Sequence, residues 1–281
     1  MILDGKALRD KIAEELKAEV EKLDQKPELV IFQIGDVAQS NTYIGQKVKY
    51  GEKIGVVVNH KRLPEDVPQH ELIKEIQLEN ENENVNGIIV QLPIPKHLDK
   101  DEAAEAIDPK KDVDGQTSKN LKNLMEAKDC FIPATTQGVL TLLENYKIQI
   151  AGKHAVVVGR STLVGKPTAL ALLNQDATVT IAHSKTENLE QITKSADILI
   201  TAVGKVNLIT KNHVKEGQTV VDVGINVTGQ NDGKNVLSGD VDFENVKEIV
   251  DAISPVPGGA GPMTVASLFQ NLLKAYKQQN A

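Results

Sequence analysis

"HAVVVGRSTLVGKPTALALL", His154 to Leu173, carries an apolar run into a glycine turn and then into a helix-forming segment. Ala155 to Val158 are apolar at every position, the pattern of a strand buried on both faces of a parallel sheet. Gly159 allows a tight turn, and the first N–H groups of the following helix can meet a pyrophosphate. The turn departs from G-x-G-x-x-G: Ser161 stands in place of the second glycine, and Val164 with Gly165 replaces the third. The plainer reading is a tight turn in a Rossmann-like lobe that holds no ligand.

Downstream, "ATVTIAH" (177–183), "ADILITAVG" (196–204) and "QTVVDVG" (218–224) read as further strands. Upstream, "ELVIFQIG" (28–35), "GVVVNHKRL" (55–63) and "VNGIIVQLPIP" (85–95) form another strand series alternating with helical segments. The fold class expected is α/β with two lobes, each a mostly parallel sheet with flanking helices, the second a Rossmann-like dinucleotide-binding domain. The lobes divide near Pro133 to Gln137. Asp4 is read as the cap of the first helix and Pro262 as residue N1 of the last. That last helix carries Val265, Leu268, Leu272, Ala275 and Tyr276 on one apolar face, so it needs a partner, expected on the first lobe.

The chain has 281 residues, 40% hydrophobic and 25% charged, the composition of a globular protein with one large domain or two medium ones. It has no apolar run of membrane-spanning length, and "MILDGKALRDKI" lacks a signal-peptide core, so a cytoplasmic location is expected. The single cysteine, Cys130, excludes an internal disulfide and a thiolate zinc cluster. A net charge of -7 and 3% aromatic residues argue against nucleic acid as a partner. No metal site is expected.

The strand after the glycine turn decides the cofactor. An NAD site places an acid at its end for the ribose 2′-OH, but "TVTIAHSKT" (178–186) offers His183, Ser184 and Lys185. Arg160 in the turn and the Ser184 hydroxyl suit a 2′-phosphate, so the cofactor expected is NADP. The plainer reading makes Arg160 a solvated surface charge.

The first lobe offers three pieces. In "YIGQKVKYGEKIG" (43–55), Ile44 and Val48 share an inward helix face, with Tyr43 and Lys47 one step round at its border. Gln91 ends the "GIIVQ" strand at the carboxyl edge, where ligands bind in such sheets. Asp112 and Asp114 in "KKDVDG" (110–115) alternate along a strand-like loop, although Asp-Gly is also simply a turn signal. In "PVPGGAGPMT" (255–264), Gly258 and Gly259 allow close backbone approach to a flat ligand, or form a plain linker turn. For Lys47 and Gln91 the plainer readings are a solvated lysine and a structural amide.

Taken in order, "YIGQK" with its following "VK", "IIVQLPIP", "DPKKDVDG", "GRSTLVGKP", "VVDVGIN" and "PVPGGAGPMT" resemble the bifunctional methylenetetrahydrofolate dehydrogenase/methenyltetrahydrofolate cyclohydrolase family across nearly the whole chain. The resemblance implies oxidation of 5,10-methylenetetrahydrofolate with NADP to 5,10-methenyltetrahydrofolate, then hydrolysis to 10-formyltetrahydrofolate, in one-carbon metabolism and purine biosynthesis. It implies a homodimer with a folate cleft between two lobes. Residues 1–135 would form the folate-binding catalytic domain, completed by a C-terminal helix over 262–281, and residues 136–261 the NADP-binding domain. The family's catalytic set maps to Tyr43, Lys47, Gln91 and Asp114. Substrate contacts map to Tyr43, Asp114, Pro257, Gly258 and Gly259, and cofactor contacts to Gly159, Arg160, Ser161, Gly165, Ser184 and Ile225. The chain departs from the family wording at Ala134, Thr136 and Ala260, and in "IGDVAQSNTY", where Ser40, Tyr43 and Lys47 keep their spacing.

The chemistry supports these roles independently. Hydride loss from a carbon between two nitrogens leaves a stabilised cation, so that step needs orientation more than a base. Hydrolysis must deprotonate water, and a lysine beside Ile44 and Val48 has its ammonium form disfavoured by burial. Gln91 would hold the amine, Tyr43 stack on the substrate rings, and Asp114 accept N–H bonds from the pterin. Two other functions fit the fold: an NADP-binding sensor without catalysis, and a dehydrogenase lacking the hydrolase.

Overall fold

In the computed structural model, which describes residues 1–231 and 234–280, the chain forms two compact units. One comprises Asp10–Ala134 with Val265–Ala281, the other Met1–Arg9 with Thr135–Thr264. The first nine residues, read from sequence as part of the first lobe, thus belong with the second. The cause is pairing: Leu3 N donates to Ile253 O (2.8 Å), and Ile2 bridges Ile253 in parallel.

The N-terminal helix α1 (Gly5–Val20) is capped by Asp4, whose Oδ1 accepts from Ala7 N at 2.9 Å. Its stripe Leu8, Ile12, Leu16 and Val20 is buried at helical spacing. Then come β1 (Glu28–Ile34), α2 (Ala38–Ile54), β2 (Val57–Leu63), α3 (Gln69–Glu81) and β3 (Gly87–Val90). All pairings in this sheet are parallel, in the order β2-β1-β3. The central strand β1 buries Leu29, Val30, Ile31 and Phe32 completely, whereas the edge strand β2 has only exposed and half-buried positions. Two short helices follow, α4 (Lys100–Glu105) and α5 (Ser118–Met125). The carboxylate of Asp99 caps α4 and the hydroxyl of Thr117 caps α5.

After Met1–Arg9, the other unit resumes at α6 (Ala134–Asn145), whose first residue still belongs to the first unit. It continues through β4 (His154–Val158), α7 (Gly165–Leu173), β5 (Thr178–Ala182), α8 (Leu189–Ser195), β6 (Ile198–Thr201) and β7 (Thr219–Asp222). A pair of antiparallel strands, β8 (Asn226–Asn231) and β9 (Lys234–Ser238), precedes α9 (Phe243–Val246) and β10 (Ala252–Ile253). The main sheet is parallel in the order β10-β7-β6-β4-β5. The chain runs from β4 outward to β5 and then back to β6 on the other side. The carboxyl ends of β4 and β6 therefore flank a topological switch point, where such sheets bind ligands.

The last helix, α10 (Ala260–Gln279), starts earlier than its proline suggests. Pro262 is its third residue, not N1; a first-turn position still needs no N–H partner within the helix. Val265, Leu268, Leu272, Ala275 and Tyr276 are all buried, as their spacing predicts. From Val265 onward the helix packs with residues 10–134. Phe269 lies 5.3 Å from Tyr50, centroid to centroid, and Asn271 Nδ2 donates to Val113 O (2.9 Å) and Ile132 O (3.0 Å).

Candidate active site

Helix α2 carries three polar residues toward one place. Ser40, Tyr43 and Lys47 are spaced three and four apart, so they share a stripe beside the buried Ile44. The Lys47 amine donates to Gln91 Oε1 at 2.9 Å. Gln91 sits just past β3; its backbone N–H extends the sheet to Phe32 O (2.8 Å), and its own amide donates to Leu92 O (2.8 Å). Both ends of the Gln91 amide are therefore engaged, and its orientation is set by the strand end. The hydroxyl of Ser40 is buried, with no hydrogen-bond partner among the described residues. Only the spacing within "SNTYIGQK" (40–47) hinted at Ser40.

The two acids of "KKDVDG" do different things. Asp112 is buried and committed to the turn, accepting from Gln116 N (3.0 Å), Thr117 N (2.8 Å) and Asn120 Nδ2 (2.9 Å). The strand-like reading of this loop holds only at Asp112, which bridges Ile88; the rest is turns, drawn tight by the Asp112 carboxylate. Asp114 is left to face Lys47, and its Oδ2 accepts from the Gln116 amide.

Burial governs both charged partners. It lowers the Lys47 pKa below the usual lysine range, and the nearby Asp114 charge offsets that only in part. It raises the Asp114 carboxyl to about 6, with Lys47 pulling down, Asp112 pushing up and the Gln116 hydrogen bond pulling down. Each residue keeps some accessible surface, yet protein crowds the charged ends, so desolvation exceeds mutual attraction. The site holds an amine disposed to shed its proton beside an acid titrating near neutrality.

In the other unit, the turn after β4 is built by close approach. Gly159 has φ +134°, and a Cβ there would lie 2.4 Å from Ala202 O. A Cβ on Gly165 would lie 2.4 Å from Gly159 O, so Gly165 supplies the helix–strand contact of the third glycine in the dinucleotide motif. Ser161 behaves otherwise than expected of a phosphate loop. Its hydroxyl accepts from Val164 N and Gly165 N, both at 3.2 Å, and its carbonyl accepts from Lys166 N (3.0 Å). The N–H groups at the start of α7 are thus already satisfied, because a serine replaces the glycine that would have left them open.

What remains for an anion is side-chain chemistry. Arg160, Ser161 and Ser184 are exposed, and the Ser161 O–H can donate outward while its oxygen caps α7. Gly159 N donates to Ala182 O (2.9 Å), which sets the turn beside the end of β5 and the Ser184 loop. No acid lies between His183 and Thr186. These groups fit a phosphorylated ribose better than a bare 2′-hydroxyl. Ile225 is exposed beyond the end of β7.

Pro257, Gly258 and Gly259 belong to this second unit, apart from the Lys47 group in chain organisation. This loop lies against the N-terminal segment. Gly258 O accepts from Lys6 N (3.0 Å), and a Cβ on Gly5 would meet Gly259 O at 1.9 Å.

Residues 3–114 match the family model described as tetrahydrofolate dehydrogenase/cyclohydrolase, catalytic domain, and residues 133–280 match its NAD(P)-binding domain. The bifunctional protein FolD of Thermodesulfovibrio yellowstonii is 48% identical over 99% of this chain and 97% of its own. The crystal structure of the bifunctional FolD dehydrogenase/cyclohydrolase of Campylobacter jejuni is 44% identical, with a TM-score of 0.95 over 99% of each chain. The Trypanosoma brucei methylenetetrahydrofolate dehydrogenase-cyclohydrolase, solved with NADP and an inhibitor, is 35% identical, with a TM-score of 0.95 over 99% of this chain and 97% of that one. This chain belongs to the tetrahydrofolate dehydrogenase/cyclohydrolase family.

Proposed function

We infer that the chain oxidises 5,10-methylenetetrahydrofolate to 5,10-methenyltetrahydrofolate with NADP and hydrolyses that product to 10-formyltetrahydrofolate. The observation that carries the reading is the Lys47–Gln91 hydrogen bond of 2.9 Å, with the enclosed Asp114 beside it, at the carboxyl edge of the first sheet. The family membership supplies the substrate class.

NADP, when bound, supplies the hydride acceptor; Arg160, Ser161 and Ser184 would hold its phosphates, with Gly159 and Gly165 shaping the turn and Ile225 near the nicotinamide end. The protein's task in the first step is orientation. Tyr43 stacks on the substrate rings and one Asp114 oxygen accepts from the amino-pyrimidine edge, with Pro257, Gly258 and Gly259 as further substrate contacts. In the second step water adds to the cationic carbon as Lys47 Nζ takes one of its protons; the bond from that carbon to N5 then breaks, the adduct's hydroxyl proton passes to N5, and the formyl group is left on N10. Gln91 keeps the amine aimed. The positive substrate and the buried surroundings both favour the neutral amine.

Residues 10–134 with the C-terminal helix act as the folate unit, and the unit around β4 to β7 as the NADP unit. A homodimer, a cytoplasmic location and a supply of one-carbon units to purine biosynthesis complete the reading, supported by the family resemblance. Purified protein mixed with NADP and 5,10-methylenetetrahydrofolate tests it. NADPH absorbance should appear, and methenyl absorbance should then decay faster than in buffer; absence of both signals would overturn the reading.

A further inference from the structure

The lysine–acid pair is bracketed by two amides: Gln91 accepts from the Lys47 amine, and Asp114 accepts from Gln116. The Gln116 backbone is pinned, because Gln116 N donates to Asp112 Oδ1 (3.0 Å) and Gly115 before it takes φ +68°. Its side chain curls back two residues to donate to Asp114 Oδ2. No other hydrogen bond to Asp114 is found among the described residues, so Oδ1 is the oxygen left to accept from a ligand.

We propose that Gln116 is a positioning residue for the folate site: by holding Oδ2 of Asp114 it fixes the carboxylate's rotation and presents Oδ1 to the N–H groups of the substrate. The inference rests on the folate reading above. An unheld carboxylate in this place would turn toward Lys47, contributed by α2, the one cation that faces it among the described residues. Asp112, the other acid facing it, is spent on the turn and repels it. A hydrogen bond to the charged form also favours ionised Asp114, opposing the burial that raises it. Gln116 therefore serves two ends through one contact, geometry and charge state.

The test compares wild type, Gln116→Leu and Gln116→Glu in both activities across pH. Gln116→Leu removes the donor. KM for methylenetetrahydrofolate should rise about tenfold, with KM for NADP unchanged, and the acid limb of kcat/KM should move to higher pH. Gln116→Glu keeps size and shape but replaces the donor with an acidic acceptor, so its acid limb should move further still. A packing role predicts the opposite ranking, with the isosteric glutamate near wild type and leucine worse; that ranking overturns the proposal. Should the leucine variant fail to fold, Gln116→Met takes its place. A wild type without either activity defeats the folate reading. An active wild type whose variants keep its folate KM and pH profile defeats this inference alone.

Discussion

Arg160 is an exposed guanidinium in a turn whose helix-start N–H groups are already taken by Ser161. That arrangement leaves side chains rather than backbone to meet the phosphate of the proposed cofactor site, so Arg160 would carry more of the contact than in an open glycine loop. Arg160→Ala should weaken NADP about ten- to hundredfold while changing NAD little, because a charge-assisted contact to the 2′-phosphate is lost. Isothermal titration with both cofactors checks this; equal losses would show that Arg160 does not read the 2′-phosphate. The residue scale also shows where reading a sequence stops. Spacing made Asp112 and Asp114 equivalent, and only the turn geometry separates the acid that holds the turn from the acid that faces Lys47. Gln116 left no trace in the linear pattern, since a glutamine two residues from an aspartate predicts nothing until the backbone between them is seen to fold back.

Among elements, the contact of α7 with β4 depends on the missing side chain at Gly165. A methyl group there would lie 2.4 Å from Gly159 O and 2.8 Å from Arg160 N, so Gly165→Ala must displace backbone. Overpacking of this kind costs about 1–3 kcal/mol, and the displaced turn should bind NADP more weakly. A lower thermal midpoint together with a raised NADP dissociation constant is expected; wild-type values for both would contradict the geometry. Elements with continuous apolar runs were legible, as in β1, β4, β6 and β7, because burial on both faces leaves a pattern independent of the partners. Two others were not. Helix α5, "SKNLKNLM", spans only eight residues, about two turns, too short for its amphipathic spacing to stand out, and it is anchored by the Thr117 cap and a single buried core residue, Leu124. The β8–β9 pair, "NVTGQN" and "KNVLS", is polar and largely exposed, so alternation has no core to report. The early start of α10 was missed for a related reason: Pro262 is compatible with several positions in a first turn.

For the molecule as a whole, function and stability pull against each other at Asp114. Its carboxyl titrates near 6 in the fold against a reference near 3.8, so the native state holds its proton more tightly than the unfolded chain. Between these values the native state binds more protons, and this group's contribution to stability falls as pH rises through the window. Asp114→Asn removes that cost while keeping an oxygen for Gln116. It should stabilise the protein relative to wild type, by about 1 kcal/mol more at pH 7.5 than at pH 5. Thermal unfolding of both proteins across that range measures it; a stability difference independent of pH would mean the acid is not ionised at a cost. Both chemistries are also expected to be separable within one folded chain. Lys47→Met in the full-length protein, with hydride transfer and hydrolysis followed on the same sample, tests that claim most directly. Methionine keeps an unbranched apolar stem for α2 and deletes only the amine that Gln91 holds. Hydrolysis should fall about a hundred- to ten-thousandfold and lose its rise with pH, while NADPH formation persists. A variant that hydrolysed methenyltetrahydrofolate at near the wild-type rate would contradict the assignment of Lys47 as the base.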